Sequence, residues 1–150
     1  MRPEIAHFQQ RTNDLLDAIA LIPDRLRNVA PEGEWSAAYV MHHIADGELH
    51  FAARYLFTLG SDNPTMTYFD EDAYPEALHY EKRSLTKSLA AIAGIRAMAF
   101  EILSALDDAA WSRQTTTIDG NTYTLSQLVM TADGHIASHI EQIKELREKI

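Results

Sequence analysis

The residues that could do chemistry in this chain are its histidines, because the sequence contains no cysteine. Imidazole nitrogens bind divalent metals and transfer protons, whereas a chain without thiols forms neither a disulfide nor a thiolate metal site. Any thiol chemistry would therefore need a thiol from outside the protein. The seven histidines are His7, His42, His43, His50, His79, His135 and His139.

Two of these histidines stand four residues apart on the apolar face of the last predicted helix. His135 and His139 leave the same face one turn apart and can bring two nitrogens to one ion. A buried imidazole without partners costs about 1–3 kcal/mol, and a shared divalent metal would satisfy both rings. Two hydrogen-bonded histidines, or a less buried helix face, would also explain the pair.

A third histidine lies on the apolar stripe of the second predicted helix. Adjacent helical residues point about 100° apart, so the stripe selects His43 and places His42 at its margin. Three inward histidines can form a three-nitrogen site with an open fourth position, which is typical of catalytic zinc. Gly47 would leave space over this face for a metal-bound water or a substrate, or would merely permit close helix packing.

Other polar residues near these stripes are candidates for supporting roles. Asp46 and Asp133 could orient a ligand or substrate, or could be plain carboxylates on a helix face. His50 lies about 10 Å farther along the helix axis than His43, so it could line the pocket but not share the ion. Glu48 is about 140° round the helix from His43, which disfavours it as a base. The residue that would act as acid or base is not identified.

The remaining motifs match no other catalytic template. His7 and His79 have no evident partner and are expected at the surface. The acidic run at 70–72 lacks the spacing of a calcium loop and is interpreted as a solvated connection. Glu76 and His79 match one element of a di-iron bundle, but the second element is missing. The metalloprotease pattern and the glycine-rich phosphate loop are absent.

Four segments with helical periodicity must position these side chains. They run from Pro3 to Ile22, from Trp35–Ser36 to about Leu59, from Pro75 to about Leu106, and from a capping box at Thr124–Gln127 nearly to Ile150. Before the last segment, β-branched residues flank Asp119–Gly120 and predict a small hairpin. With no other strand, this pattern predicts an all-α four-helix bundle with a long acidic connection after the second helix.

Length and charge limit the function. A chain of 150 residues fits a single domain, 1–150. Lys and Arg total 13 against 22 Asp and Glu, and the net charge of −9 disfavours nucleic acid and anionic membranes as partners. No apolar run approaches the roughly 20 residues that cross a bilayer, and the N-terminus lacks the apolar stretch of a signal peptide. We therefore expect a cytoplasmic protein that acts on a small molecule.

The ordered combination of motifs resembles the DinB-like superfamily of metal-binding four-helix bundles, and most closely its YfiT-like branch of metal-dependent hydrolases. The motifs are Glu34-Trp35-Ser36, His42-His43-Ile-Ala-Asp46, the connection from Tyr68 to Tyr74, Trp111 with the hairpin, and His135-Ile-Ala-Ser-His139. The branch carries further histidines, at positions that here hold Ala132, Ile136 and Glu48. The histidines His43, His135 and His139 are all present, but the resemblance does not imply that the substrate is shared.

The resemblance implies a bundle with a long crossover, often dimeric, that holds Zn²⁺ or Ni²⁺ through three histidines. These correspond to His43, His135 and His139, and a homodimer is expected. Superfamily members include transferases and isomerases that use low-molecular-weight thiols such as bacillithiol or mycothiol.

The favoured hypothesis is a metal-dependent enzyme that activates water or an exogenous low-molecular-weight thiol, as a hydrolase or a thiol S-transferase. A bound Zn²⁺ lowers the pKa of its water to about 7 and would likewise favour a thiolate. The alternative is a non-catalytic metal-binding or oligomeric bundle protein. A third interpretation is that protein groups alone satisfy the buried histidines.

Overall fold

The long helices that carry the histidines begin at the residues predicted to cap them. In the computed structural model, which describes residues 1–150, the four long helices are α1 (Phe8–Ala20), α2 (Ala37–Gly60), α4 (Leu85–Ser104) and α6 (Leu125–Lys149). The Ser36 side chain accepts a hydrogen bond from the N–H of Tyr39 at the start of α2. Thr124 and Gln127 form the predicted capping box of α6. These contacts satisfy N–H groups that a helix start leaves unpaired, and the predicted four-helix bundle is confirmed.

The predictions for the first and third helices are wrong in extent. Residues Pro3–Ile5 form a separate 3₁₀ turn, and α1 begins only at Phe8. The third segment is divided into a short helix α3 (Tyr74–Ala77), a 3₁₀ turn (Tyr80–Lys82) and α4. The backbone of His79 is left-handed, with φ of 48°, and an α-helix cannot continue through that conformation.

A small sheet closes one end of the bundle and contains one strand more than predicted. The hairpin strands β2 (Gln114–Thr117) and β3 (Thr122–Thr124) are antiparallel, as expected. A two-residue strand β1 (Thr65–Met66) adds to β2 in parallel, so the expectation of no strand beyond the hairpin is wrong. So short a strand has no periodicity of its own. It attaches the connection after α2 to the hairpin, which precedes α6.

Helix α2 packs against α4 on one side and α6 on the other, and α1 packs against the same two helices. Buried apolar residues form two clusters, one around Leu15, Val40 and Ile140 and the other around Phe8, Phe51 and Trp111. A short helix α5 (Asp108–Trp111) adds Trp111 to the second cluster. None of the helices combines the length and the apolar character that crossing a bilayer requires.

Candidate metal centre

Three histidine nitrogens from two helices converge at one point of the bundle. The Nε2 atom of His135 lies 3.0 Å from Nε2 of His43 and 3.1 Å from Nε2 of His139. The three possible ligand atoms all lie within 4.8 Å of one another. His43 is buried, and the two α6 histidines are half-buried. The structure thus brings together the three histidines that the helical stripes select.

The ring of His139 is oriented by a residue in the next turn of α6. Its Nδ1 lies 2.7 Å from Oε1 of Gln142, and a carbonyl oxygen can only accept, so Nδ1 carries the proton. A neutral imidazole has one N–H, which leaves Nε2 with a free lone pair directed at the other two rings. Gln142 therefore holds His139 in the tautomer that a metal ligand needs.

Burial keeps His43 and His135 neutral. Burial first, and then the neighbouring His139 and His43, lower the pKa of His135 to about 3. The pKa of His43 is also lowered, by burial first and by His139 second. Nitrogen lone pairs at this distance repel one another unless a cation lies among them, and the surroundings oppose a proton. The donor set fits a divalent metal that accepts imidazole, such as Zn²⁺ or Ni²⁺.

Close packing against α2 fixes the position of the His135 ring. A Cβ atom on Gly47 would lie 3.2 Å from Cε1 of His135, so the missing side chain makes room for this ring. The expectation of free space over Gly47 for a water or substrate is therefore wrong, and close helix packing is the observed role. The Nδ1 atom of His135 is buried without a hydrogen-bond partner, at a cost of about 1–3 kcal/mol.

The two predicted supporting carboxylates bind arginines rather than the histidines. Asp46 accepts hydrogen bonds from the Tyr80 hydroxyl at 2.7 Å and from Arg83 at 2.8 Å. Asp133 forms an ion pair with Arg11 at 3.0 Å. Asp46 therefore joins α2 to the segment before α4, and Asp133 joins α6 to α1.

His50 contacts the connection that follows its helix. Its Nε2 lies 2.8 Å from the Tyr74 hydroxyl, and its ring stacks on Phe69 with centroids 3.8 Å apart. Together with Arg54, it lines a cavity between α2 and the small sheet. The exposed His79 is not part of the histidine cluster and pairs with Glu81 at 3.4 Å.

His42, expected at the margin of the stripe, is only 1% exposed. Because α2 has neighbours on two sides, a residue that turns away from α6 faces α4 instead of solvent. There Nδ1 of His42 lies 2.7 Å from the Ser88 hydroxyl. Burial first, and the charge of Arg83 second, lower the pKa of His42 to about 4.

This buried His42 makes the stability of the metal-free protein depend on pH. The His42 ring takes up a proton near pH 6.5 in the unfolded chain, but only near pH 4 in the folded protein. The contribution of neutral His42 to the free energy of unfolding is therefore fully present above about pH 6.5 and is lost as the pH falls towards 4. We expect wild type to lose up to about 1.4 kcal/mol more per pH unit than His42→Gln in this window. Urea unfolding of both proteins at several pH values measures the difference, and parallel curves would contradict the prediction.

A carboxylate that the sequence analysis assigned to a solvated connection reaches the cluster. Oε2 of Glu71 lies 3.7 Å from Nε2 of His43, and the side chain is 53% exposed. Its neighbours Asp70 and Asp72 are exposed. No spacing in the sequence marks Glu71, because the connection is held in place by contacts with distant elements, through β1 and the His50–Tyr74 hydrogen bond.

The model of one family, described as the DinB superfamily, matches residues 7–143, which include all three clustered histidines. The chain belongs to the DinB superfamily. Two bacterial relatives bear the name "Putative metal-dependent hydrolase". The protein from Geobacillus kaustophilus is 26% identical over 97% of this chain and 83% of its own length. The protein from Geobacillus thermodenitrificans is 25% identical over the same shares.

Solved structures show the same fold. YfiT from Bacillus subtilis, described as "a probable metal-dependent hydrolase with an unusual four-helix bundle topology", has a TM-score of 0.87 at 23% identity, covering 97% of this chain and 84% of that chain. A mycothiol-dependent maleylpyruvate isomerase has a TM-score of 0.74 at 13% identity, covering 93% of this chain and 59% of the isomerase. The superfamily fold thus occurs both in YfiT and in a thiol-dependent isomerase.

The contact between His139 and Gln142 leads to a prediction about metal affinity. Gln142→Leu removes the acceptor of the His139 N–H, so we expect metal binding to weaken about 10- to 100-fold. Gln142→Glu keeps an acceptor oxygen and should retain the affinity. Competition with a chromophoric chelator measures both variants. Equal affinity in wild type and Gln142→Leu would show that the ring needs no such support.

Proposed function

We propose that His43, His135 and His139 hold one divalent cation, Zn²⁺ or Ni²⁺, and that the chain is a metal-dependent enzyme acting on a small molecule. The observation that carries this proposal is the convergence of three imidazoles on one point, with the Nε2 atom of His135 3.0 and 3.1 Å from those of His43 and His139. Three protein ligands leave a coordination position for a reactant, as in catalytic rather than structural zinc sites.

When bound, the cation would act as a Lewis acid and make a water or thiol that it holds more acidic. The residues of this chain would supply the rest of the chemistry. Gln142 keeps the lone pair of His139 available, and Gly47 lets His135 approach. Glu71 would accept the proton of the attacking water or thiol, because its carboxylate is the acidic group that contacts the cluster.

Hydrolysis and thiol transfer would share this site and differ in the attacking group. The names of the Geobacillus relatives support a hydrolase. The fold of the mycothiol-dependent isomerase supports a thiol-dependent reaction, and the lack of cysteine in this chain agrees with a thiol supplied from outside. Assays of the metal-loaded protein with activated esters, and with a small thiol plus an electrophile, would distinguish the two reactions.

Elemental analysis of untagged protein tests the proposal most directly. We expect about one Zn or Ni per chain in wild type, lost in both His43→Ala and His139→Ala. His79→Ala is the matched control, because His79 is exposed and away from the cluster, and it should keep the metal. A metal-free wild type that fails to take up added Zn²⁺ or Ni²⁺ would overturn the proposal.

We further propose that the protein works as a homodimer. Large apolar side chains remain exposed on α2 and α4, among them Leu49, Leu56 and Met98. Leu56 and Met98 line one apolar depression between these helices. Contiguous exposed apolar surface is typical of protein–protein interfaces. Light scattering of the purified protein would measure the mass in solution.

A further inference from the structure

A second polar site lies where α2 meets the small sheet. A cavity of about 130 Å³ is lined by His50 and Arg54 of α2, by Thr65 and Thr67 on the connection, and by Thr115 of β2. A single water needs roughly 10–15 Å³ measured in this way, so the cavity has room for a group of several heavy atoms. Its lining offers a cation, an imidazole and hydroxyl groups, but no carboxylate.

The charge of Arg54 is not neutralised within the protein. The buried or half-buried arginines elsewhere are paired, Arg96 with Glu48 at 3.2 Å and Arg83 with Asp46 at 2.8 Å. Arg54 has no carboxylate within ion-pair distance and donates one hydrogen bond, to the carbonyl oxygen of Thr67 at 3.1 Å. Burial lowers its pKa, so the surroundings do not stabilise the charge. The chain has a net charge of −9, and yet none of its carboxylates pairs with this half-buried guanidinium.

Aromatic rings hold the guanidinium at the cavity and connect it to the histidine cluster. Cζ of Arg54 lies 5.4 Å from the ring centre of Phe69 and 5.7 Å from that of Phe51. Phe51 also contacts His135, with ring centres 5.8 Å apart. Phe51 therefore contacts one residue of each site, Arg54 at the cavity and His135 in the histidine cluster.

We propose that this cavity binds an oxyanionic group of the substrate, a carboxylate or a phosphate, through Arg54. The planar fork of a guanidinium donates parallel hydrogen bonds to either group, and an anion would supply the charge that Arg54 lacks. The hydroxyls of Thr65 and Thr67 can donate to the remaining oxygens, whereas that of Thr115 already donates to the carbonyl oxygen of Pro64 at 2.7 Å. The inference rests on the proposed function, because the reacting part of the same molecule would lie at the histidine cluster. It assigns to the enzyme small anionic substrates.

Binding of acetate and of inorganic phosphate to the full chain tests this site. Nuclear magnetic resonance titrations would be run on metal-stripped and on Zn²⁺-loaded wild type, Arg54→Gln and Arg25→Gln. Arg25 is exposed, so its replacement makes the same charge change away from the cavity. We expect at least one of the anions to bind wild type and Arg25→Gln, to shift the amide signals of Thr65, Thr67 and Thr115, and to bind Arg54→Gln at least tenfold more weakly.

The variant Arg54→Lys distinguishes the effect of the guanidinium geometry on anion affinity from the effect of the positive charge. Lysine keeps the positive charge but loses the fork, so its affinity should fall between those of wild type and Arg54→Gln. Should Arg54→Gln fail to fold, this variant and the amide shifts of wild type still decide the question. Binding of neither anion, or equal binding by Arg54→Gln and Arg25→Gln, would overturn the proposal.

The metal-stripped samples keep this proposal separate from the proposed function. An anion that binds only in the presence of Zn²⁺ is bound by the metal, which would contradict the Arg54 site while supporting the histidine cluster. Anion binding by Arg54 in a protein that takes up no metal would support the site and overturn only its role in a metal enzyme. Preference for acetate or for phosphate would identify the group that the substrate carries.

Discussion

Replacing Glu71 by glutamine is expected to lower turnover by the zinc-loaded protein about 10²- to 10⁴-fold, with its metal content unchanged. Glutamine keeps the size of the side chain but cannot accept a proton. The cluster of possible metal ligands consists of the three histidines and does not include Glu71. Of these histidines, Glu71 contacts only His43, at 3.7 Å. The loss should therefore appear in turnover rather than in metal binding.

Hydrolysis of p-nitrophenyl acetate, or thiol transfer if esters are not cleaved, supplies the rate for this comparison. Asp72→Asn is the matched control, because it removes the same charge from the same exposed connection. The control should retain wild-type turnover. Equal rates in wild type and Glu71→Gln would exclude Glu71 as the proton acceptor, and equal losses in both variants would indicate a general effect of charge.

Replacing Arg96 by leucine is expected to reduce the free energy of unfolding by about 3–5 kcal/mol. Arg96 is buried and donates hydrogen bonds to Glu48 at 3.2 Å, to the Thr12 hydroxyl at 2.7 Å and to the carbonyl of Phe8 at 2.9 Å. Oε1 of Glu48 has no partner even in the wild type. Without Arg96, a buried carboxylate would remain with no compensating charge. Urea unfolding measures the loss.

The pH dependence and a double variant identify the cause of that loss. Burial already raises the pKa of Glu48, and Arg96 opposes this shift. In Arg96→Leu the folded protein would hold the proton on Glu48 at a pH where the unfolded chain has released it. Stability should therefore fall as the pH rises above about 4.5. Replacing Glu48 by leucine as well removes the unpaired charge and should restore much of the stability. A double variant as unstable as Arg96→Leu would show that lost packing is responsible.

Helical periodicity is sufficient to select the three clustered histidines from seven. His135 and His139 share a face because residues four apart always do, and His43 was separated from His42 by the apolar stripe of α2. The Ser36 cap of α2, the capping box of α6 and the Asp119–Gly120 hairpin were also predictable, since caps and turns depend on residues within a few positions. The order of these motifs along the chain also indicated the superfamily.

Periodicity could not predict features that depend on which helices cover each side of α2 or on the backbone of a connection. His42 appeared marginal because a single stripe was assumed for α2, whereas α4 covers its other side. The left-handed residue His79 divides a segment whose apolar pattern continues through it. Gly47 accommodates a histidine ring from another helix, and no local pattern contains that neighbour.

The sequence by itself determined the helices, their caps, the hairpin and which histidines face inward, because these depend on backbone periodicity and on contacts between near neighbours. Only the tertiary structure placed Glu71 beside His43 and left Arg54 without a carboxylate at a cavity. Both residues interact with parts of the chain whose positions follow from packing, through the β1–β2 pairing and the stacking of Phe69 on His50. Contacts of this kind join elements distant in sequence, and they arise only when the whole bundle has assembled.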